Sequence, residues 1–274
     1  MRKESRRKES SAPAPAAPAA GSADWPAEPR RQHCRVCPAR LHTFCAPIPL
    51  AEIDRVALLK SRERVLPAGG TLYAEAGTCG EYYTVLAGWV ALIRTLADGT
   101  RVVLDFALPG DFVGFQAEAG GAADHTAVAV TASRLCPLPR PGAEGLIAAE
   151  PAIAAHLARI IAMHEARAHD HLVNSAARSA HERVAHLLIE LYFRQRQHLP
   201  QARGETVPMP LTLALIGAAV GLTGEHVSRT LSRLRQEGII RLHRRELTIL
   251  DPAGLIRATG VEDHPLADAG WPDP

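Results

Sequence analysis

The residues best suited to chemistry lie in the stretch 33–45, HCRVCPARLHTFC. Three of the chain's five cysteines fall within it, spaced Cys34-x2-Cys37-x7-Cys45. Thiols clustered ahead of a globular core can bind a metal or cluster, pair as a disulfide, or stand together by chance. The chain starts MRKESRRKES and continues SAPAPAAPAAGS. That segment has too much Pro and too little Leu or Val for a signal-peptide apolar region. The expectation is a cytoplasmic protein, where thiols stay reduced and clustered cysteines are metal ligands more often than a disulfide framework. The other two cysteines, Cys79 and Cys136, lie far apart. Ligand type alone does not separate zinc from iron–sulfur.

A second chemical pattern lies in residues 211–245, LTLALIGAAVGLTGEHVSRTLSRLRQEGIIRLHRR. A short helix over 212–220 is expected to end at Gly221. Thr223 is placed to cap a second helix, with Glu225 in its favourable first turn. Helix, glycine-containing turn and helix make the helix-turn-helix plan. Val227, Leu231 and Leu234 share the face to be buried, leaving Glu225, Ser228, Arg229, Ser232 and Arg233 on the other. Arg229 can fork onto the acceptor pair of a guanine, Glu225 can accept from a cytosine amino group, and Ser228 can serve either way. Arg233, Arg235, Arg244 and Arg245 suit phosphates. Residues 239–242 and 246–250 flank the basic turn His243-Arg244-Arg245 as a wing hairpin. From 225 to 245 there are six arginines against two glutamates. The positive charge is local although the chain's net charge is only +2, as groove binding requires.

The elements that position these groups follow from patterning. Residues 1–30 read as a disordered basic and Pro/Ala-rich tail. Residues 50–61 carry apolar side chains at nearly helical spacing. From 64 to 139 short strands alternate with turn signals, including a hairpin whose strands 89–96 and 101–107 flank Ala97-Asp98-Gly99-Thr100. Such a run implies a sandwich or barrel. Beyond Pro151, the stripe Ile153, Leu157, Ile160, Ile161, Ala168 and Leu172 predicts a helix about 39 Å long. A helix that long suits a spine or a dimer seam, with His164, Arg167 and His171 on or beside the seam as polar interruptions. Those histidines, with His169, are expected at the seam edge or in solvent. A further helix over 180–198 buries Val184, Leu187, Leu188, Leu191 and Tyr192. No 18-residue apolar run indicates a membrane span, and no Ser/His/Asp set, phosphate loop or paired carboxylates indicates an enzyme.

A β-roll, a long helix and a winged helix-turn-helix resemble the Crp/Fnr family of bacterial transcription regulators over about residues 33–250. The fold expected is therefore α+β. It comprises a cysteine arm and a cyclic-nucleotide-binding-like β-roll over 31–149, a dimerisation helix over 150–178, a winged helix-turn-helix over 179–252 and a tail over 253–274. GLTGEHVSRTLSRLRQEGII is similar to the family's recognition helix, with Glu225, Ser228 and Arg229 as its Glu-x-x-Ser-Arg core. The resemblance implies palindromic half-sites like TTGAT. One departure lies in the first helix, where Leu213, Ala214 and Leu215 stand where a charged residue is common.

The resemblance also implies an effector. Cyclic-nucleotide binders of the family carry a Gly-Glu pair and an Arg-Ser/Thr pair for the phosphate. Here the region GDFVGFQAEAGGAADHTAVAVTAS has neither the Gly-Glu pair nor an Arg near Thr126, so no cyclic nucleotide is expected. The Fnr branch holds an oxygen-labile 4Fe–4S cluster with an N-terminal cysteine group and one cysteine late in the β-roll. That pattern assigns Cys34, Cys37, Cys45 and Cys136 as ligands, with Cys79 the rival fourth and zinc the rival metal. The function implied is an oxygen-responsive homodimeric DNA-binding regulator, with RNA polymerase contacted through the 97–101 turn. The alternatives are a nitric-oxide or redox sensor of the same fold and a metal-stapled protein whose helix-turn-helix meets protein.

Overall fold

The computed structural model describes residues 34–37, 39–116 and 121–261. The expected basic tail over 1–30 lies outside the described residues. Eight strands form the β-roll. One sheet has the order β1 (Arg64–Leu66), β8 (Ser133–Pro139), β3 (Glu81–Ala87), β6 (Phe112–Val113). The other has the order β2 (Thr71–Tyr73), β7 (Thr126–Ala129), β4 (Val90–Thr95), β5 (Arg101–Ala107), and all pairings are antiparallel. Alternating apolar residues drive the two sheets together over a core that includes Leu72, Val85, Val90, Ala127 and Leu135. The β4–β5 hairpin closes where expected, with Leu96 N–H donating to Thr100 O at 2.8 Å.

The arm reaches the roll through a single turn of 3-10 helix, Arg40–His42, and then α1 (Ile53–Leu59). Ile53 and Val56 face inward from α1, while Leu58 stays exposed. Arg35 forks onto Asp54 with Nε 3.0 Å from Oδ1, tying arm to helix.

Helix α2 (Arg140–Ala149) follows β8, and α3 (Pro151–Ala177) leaves it at a bend of 115°. Pro151 opens α3, a position where its missing N–H costs nothing. No single helix is long and apolar enough to cross a membrane among the described residues.

The stripe along α3 does not form one seam. Ile153 and Ile160 are buried and Leu157 is half-buried in a cluster with Phe44, Cys45 and Ile48 of the arm. Only Ile161, Ala168 and Leu172 of the expected set stay exposed, joined on that face by Glu165. The polar interruptions also turn inward. Arg167 pairs with Asp105 at 2.9 Å, His171 Nε2 lies 2.8 Å from Glu190, and His164 meets the Phe115 ring edge-on. A 3.6-residue period identifies an apolar face, but which part the chain's own sensor covers depends on tertiary packing.

Helix α4 (Ala180–Arg196) begins with a capping box, in which Ser179 Oγ accepts from Glu182 N–H and Glu182 accepts from Ser179 N–H. After β9 (Thr206–Pro208) come α5 (Leu213–Val220), α6 (Gly224–Gln236), and the wing strands β10 (Ile240–His243) and β11 (Glu246–Ile249). The wing sheet has the order β10-β11-β9. The tail expected from residue 253 is corrected. Pro252–Ala258 forms α7, whose Leu255 is fully buried in the core of the reading unit, because that apolar side chain covers α4. Residues 262–274 lie outside the described residues.

Candidate metal centre and DNA-reading surface

One cavity between the arm and the β-roll gathers four of the thiols. Its lining includes Cys34, Cys37 and Cys45 from the arm, Cys136 from β8, and Lys60 just past α1. The register of β3 and β8, which sets Thr84 opposite Cys136, brings both residues to this cavity. The arm is folded to present its sulfurs: Arg40 Nη1 donates to Ile48 O at 2.8 Å, and Thr43 Oγ1 accepts from Cys45 N–H at 3.2 Å. Phe44 stacks on Phe112 at 5.0 Å between ring centroids. Such stacking adds about 1 kcal/mol to the apolar burial.

Cys79, the rival fourth thiol, is elsewhere. It is buried among Tyr73, Tyr83 and Val85 in the β-roll core, where its Sγ donates to Glu81 O at 3.0 Å. Cys34, Cys37, Cys45 and Cys136 thus share a cavity that Cys79 does not line. Burial pushes the Cys136 thiol up to about 12, against the opposing charge of Lys60. Burial likewise raises Cys37. Both are neutral thiols at pH 7 until a cation replaces the proton. The four sulfurs line one cavity, yet among the described residues no three metal-binding side chains close to the spacing of a single-ion site.

Sequence reasoning missed Lys60. Its Nζ lies 3.4 Å from Cys45 Sγ and 3.6 Å from Cys34 Sγ. Burial alone lowers an ammonium, but the sulfurs of Cys45, Cys136 and Cys34 around it more than offset burial, and Lys60 is raised well above the usual lysine range. A lone lysine ending an apolar helix carries no signal of this. Also missed was His156, whose Nε2 sits 3.0 Å from Thr43 O and joins the arm directly to α3.

The reading surface depends on a tight turn. Gly221 ends α5 with φ +67°, and a Cβ on Gly217 would stand 2.4 Å from Leu222 O. Only glycine permits that approach of α5 to the turn. Thr223 Oγ1 caps α6 by accepting from His226 N–H at 3.3 Å. Val227, Leu231 and Leu234 are buried as expected, and Thr230 joins them. Glu225, Arg229 and Arg233 project into solvent, with Ser228 and Ser232 half-buried beside them. Arg229 approaches Glu225 only loosely, at 3.9 Å, whereas Arg233 is held by Glu237 at 2.7 Å. Arg235 bonds Ser232 Oγ at 2.9 Å. The wing turn puts exposed Arg244 and Arg245 at positive φ.

A thiol-lined β-roll, a long helix and an arginine-bearing winged helix-turn-helix define a DNA-binding regulator. Residues 63–150 match the family described as a cyclic nucleotide-binding domain, and residues 182–258 match the Crp-like helix-turn-helix domain. The chain is 31% identical over 226 residues to the nitrogen fixation regulation protein FixK of Bradyrhizobium diazoefficiens, covering 82% of this chain and 93% of that protein. It is 28% identical over 236 residues to the transcriptional activator protein FnrA of Stutzerimonas stutzeri, covering 84% and 94%. The structure of FixK2 from Bradyrhizobium japonicum superposes with a TM-score of 0.67 at 27% identity, covering 74% of this chain and 99% of that one. The chain belongs to the Crp/Fnr family of transcription regulators.

Proposed function

We propose that this protein is an oxygen-responsive regulator in which Cys34, Cys37, Cys45 and Cys136 hold a 4Fe–4S cluster, and which pairs and reads TTGAT-like palindromes while that cluster is intact. The observation that carries the reading is that one short segment serves both cavity and helix. Cys45 lines the thiol cavity. Its neighbours Thr43 and Phe44 meet α3 through His156 and the cluster of Ile153 and Ile160. An iron–sulfur cluster bound there supplies a centre that oxygen can oxidise and disassemble. The residues fit it: four thiols converge, and the Lys60 ammonium offsets anionic charge.

The chain's own groups then act in sequence. Ligation fixes Cys45, Phe44 stays stacked on Phe112, and Ile153 and Ile160 are held against the arm. The exposed face of Ile161, Ala168 and Leu172 is thereby set for a second copy. Pairing places two α6 helices about one DNA turn apart. When ligation is lost, the arm loosens and the pairing equilibrium shifts. Glu225, Ser228 and Arg229 read bases in this scheme, and the wing arginines Arg244 and Arg245 hold phosphates. The exposed 97–100 turn is the proposed contact for RNA polymerase. A cyclic nucleotide has no place in the reading: Thr126 Oγ1 already accepts from Glu75 N–H at 2.9 Å, and His125 is held between Tyr73 and Asp124.

Anaerobic purification tests the proposal. The expected protein is brown and dimeric, and loses colour and DNA binding together in air. Cys136→Ala abolishes cluster retention while Cys79→Ala retains it. A colourless zinc protein with air-stable DNA binding refutes the reading.

A further inference from the structure

Lys60 is a cation placed inside a cavity walled by thiols. It is the residue that caps α1, and α1 is fixed by buried Ile53 and Val56 and by the Arg35–Asp54 fork. The ammonium is therefore carried to the sulfurs by backbone placement. Its hydrogen-bond partners are Cys45 Sγ at 3.4 Å and Cys34 Sγ at 3.6 Å. Among the described residues no carboxylate forms an ion pair with it. The other cation lining the cavity, Arg40, turns a guanidinium nitrogen to Ile48 O. A half-buried ammonium without a carboxylate partner is costly unless the sulfurs it faces carry negative charge.

We propose that Lys60 is a positioning and charge-setting residue for the thiolate-bound centre, donating N–H···S bonds to Cys34 and Cys45 and slowing the centre's loss of an electron to dioxygen. This rests on the cluster reading above. In the step concerned, dioxygen accepts one electron and leaves as superoxide, no proton moves, and the ligated centre becomes one unit less negative. Its attraction to Lys60 is weaker after the step than before, so the ammonium favours the unoxidised state. Hydrogen bonds to ligating sulfur and local charge are established levers on cluster potential. Lys60 supplies both from one atom.

The test uses full-length protein loaded anaerobically with iron and sulfide and then mixed with air-saturated buffer. The visible absorbance and the Fe–S(Cys) stretching frequencies are followed. Lys60→Met is expected to lose absorbance about tenfold faster than wild type. Its Fe–S(Cys) stretches are expected at higher frequency, because sulfur no longer shares density with a donor. Lys60→Arg, which keeps charge and donors, decays within about twofold of wild type. Should Lys60→Met take up no cluster, Lys60→Gln against Lys60→Arg gives the same comparison, with Gln the faster. Equal decay rates with unchanged stretches overturn the role of Lys60 and leave the cluster reading standing. A wild-type chain that takes up no iron and sulfide overturns the cluster reading itself, and the Lys60 role with it.

Discussion

Ile160 and Ile161 are neighbours in sequence, yet they lie about 100° apart around α3. Ile160 is 7% exposed and belongs to the cluster under the arm, whereas Ile161 is 47% exposed on the adjoining face. Substitutions at the two positions must therefore report on different things. Ile161→Glu removes an exposed apolar surface that the proposed pairing with a second copy would cover. Covering the exposed half of an isoleucine stabilises by about 1 kcal/mol in each protomer, or about 2 kcal/mol in a symmetric pair. Two facing carboxylates raise the loss to about 3 kcal/mol, a weakening of the dimer of about 100-fold. The fold itself should change by no more than about 0.5 kcal/mol. Ile160→Ala instead leaves a cavity in the chain's own core and should cost about 2–4 kcal/mol of unfolding free energy. Sedimentation equilibrium reads the first effect and urea unfolding the second. The reasoning is refuted if Ile161→Glu dimerises like wild type while Ile160→Ala dissociates with its stability intact.

His171 should make stability depend on pH. Burial opposes its charged form, but the hydrogen bond and charge of Glu190, with Asp105 beyond, raise it to about 9 from an ordinary 6.5. Its contribution is fully present below about 6.5 and is lost as pH rises through about 9, amounting to at most about 3 kcal/mol. Urea unfolding between those values should show the decline, and His171→Gln should flatten it; a decline that persists in the variant removes His171 as its source. At the DNA surface, Arg229→Ala should cost about 1–3 kcal/mol of discrimination at one base pair in a binding titration across site variants. Equal loss on every sequence marks Arg229 as a phosphate contact instead.

What could be read beforehand was whatever is local in the chain. The cap at Thr223, the stop at Gly221 and the spacing of Val227, Leu231 and Leu234 all lie within one short stretch. Each has its own physical signature, so the winged helix-turn-helix was legible. The meeting of Cys136 with the arm was not. It requires the β3–β8 register and the fold of the arm together, and only the resemblance to the Fnr branch suggested it. The polar residues of α3 were misjudged for a related reason. Arg167 and His171 look like surface residues in sequence, because their partners Asp105 and Glu190 arrive from a distant strand and from the next helix. Helix α7 falls where a tail over 253–274 was expected, and Pro252 opens it, since proline starts helices readily at the first position.

The core of the reading unit does not stop at the domain boundary. Trp89, Ile93, Phe106 and Leu108 of the β-roll belong to the same buried cluster as Leu188, Leu191, Ile216 and Leu231. Arg194 of α4 crosses the same junction to Asp105 at 2.8 Å and Asp111 at 2.7 Å. The sensor and the reader are thus two faces of one continuous solid rather than beads on a flexible string. A reader cut away on its own would carry a bare apolar underside into water. Any turning of α6 relative to the β-roll would have to break those ion pairs and expose that shared apolar surface, so its cost is set at the joint.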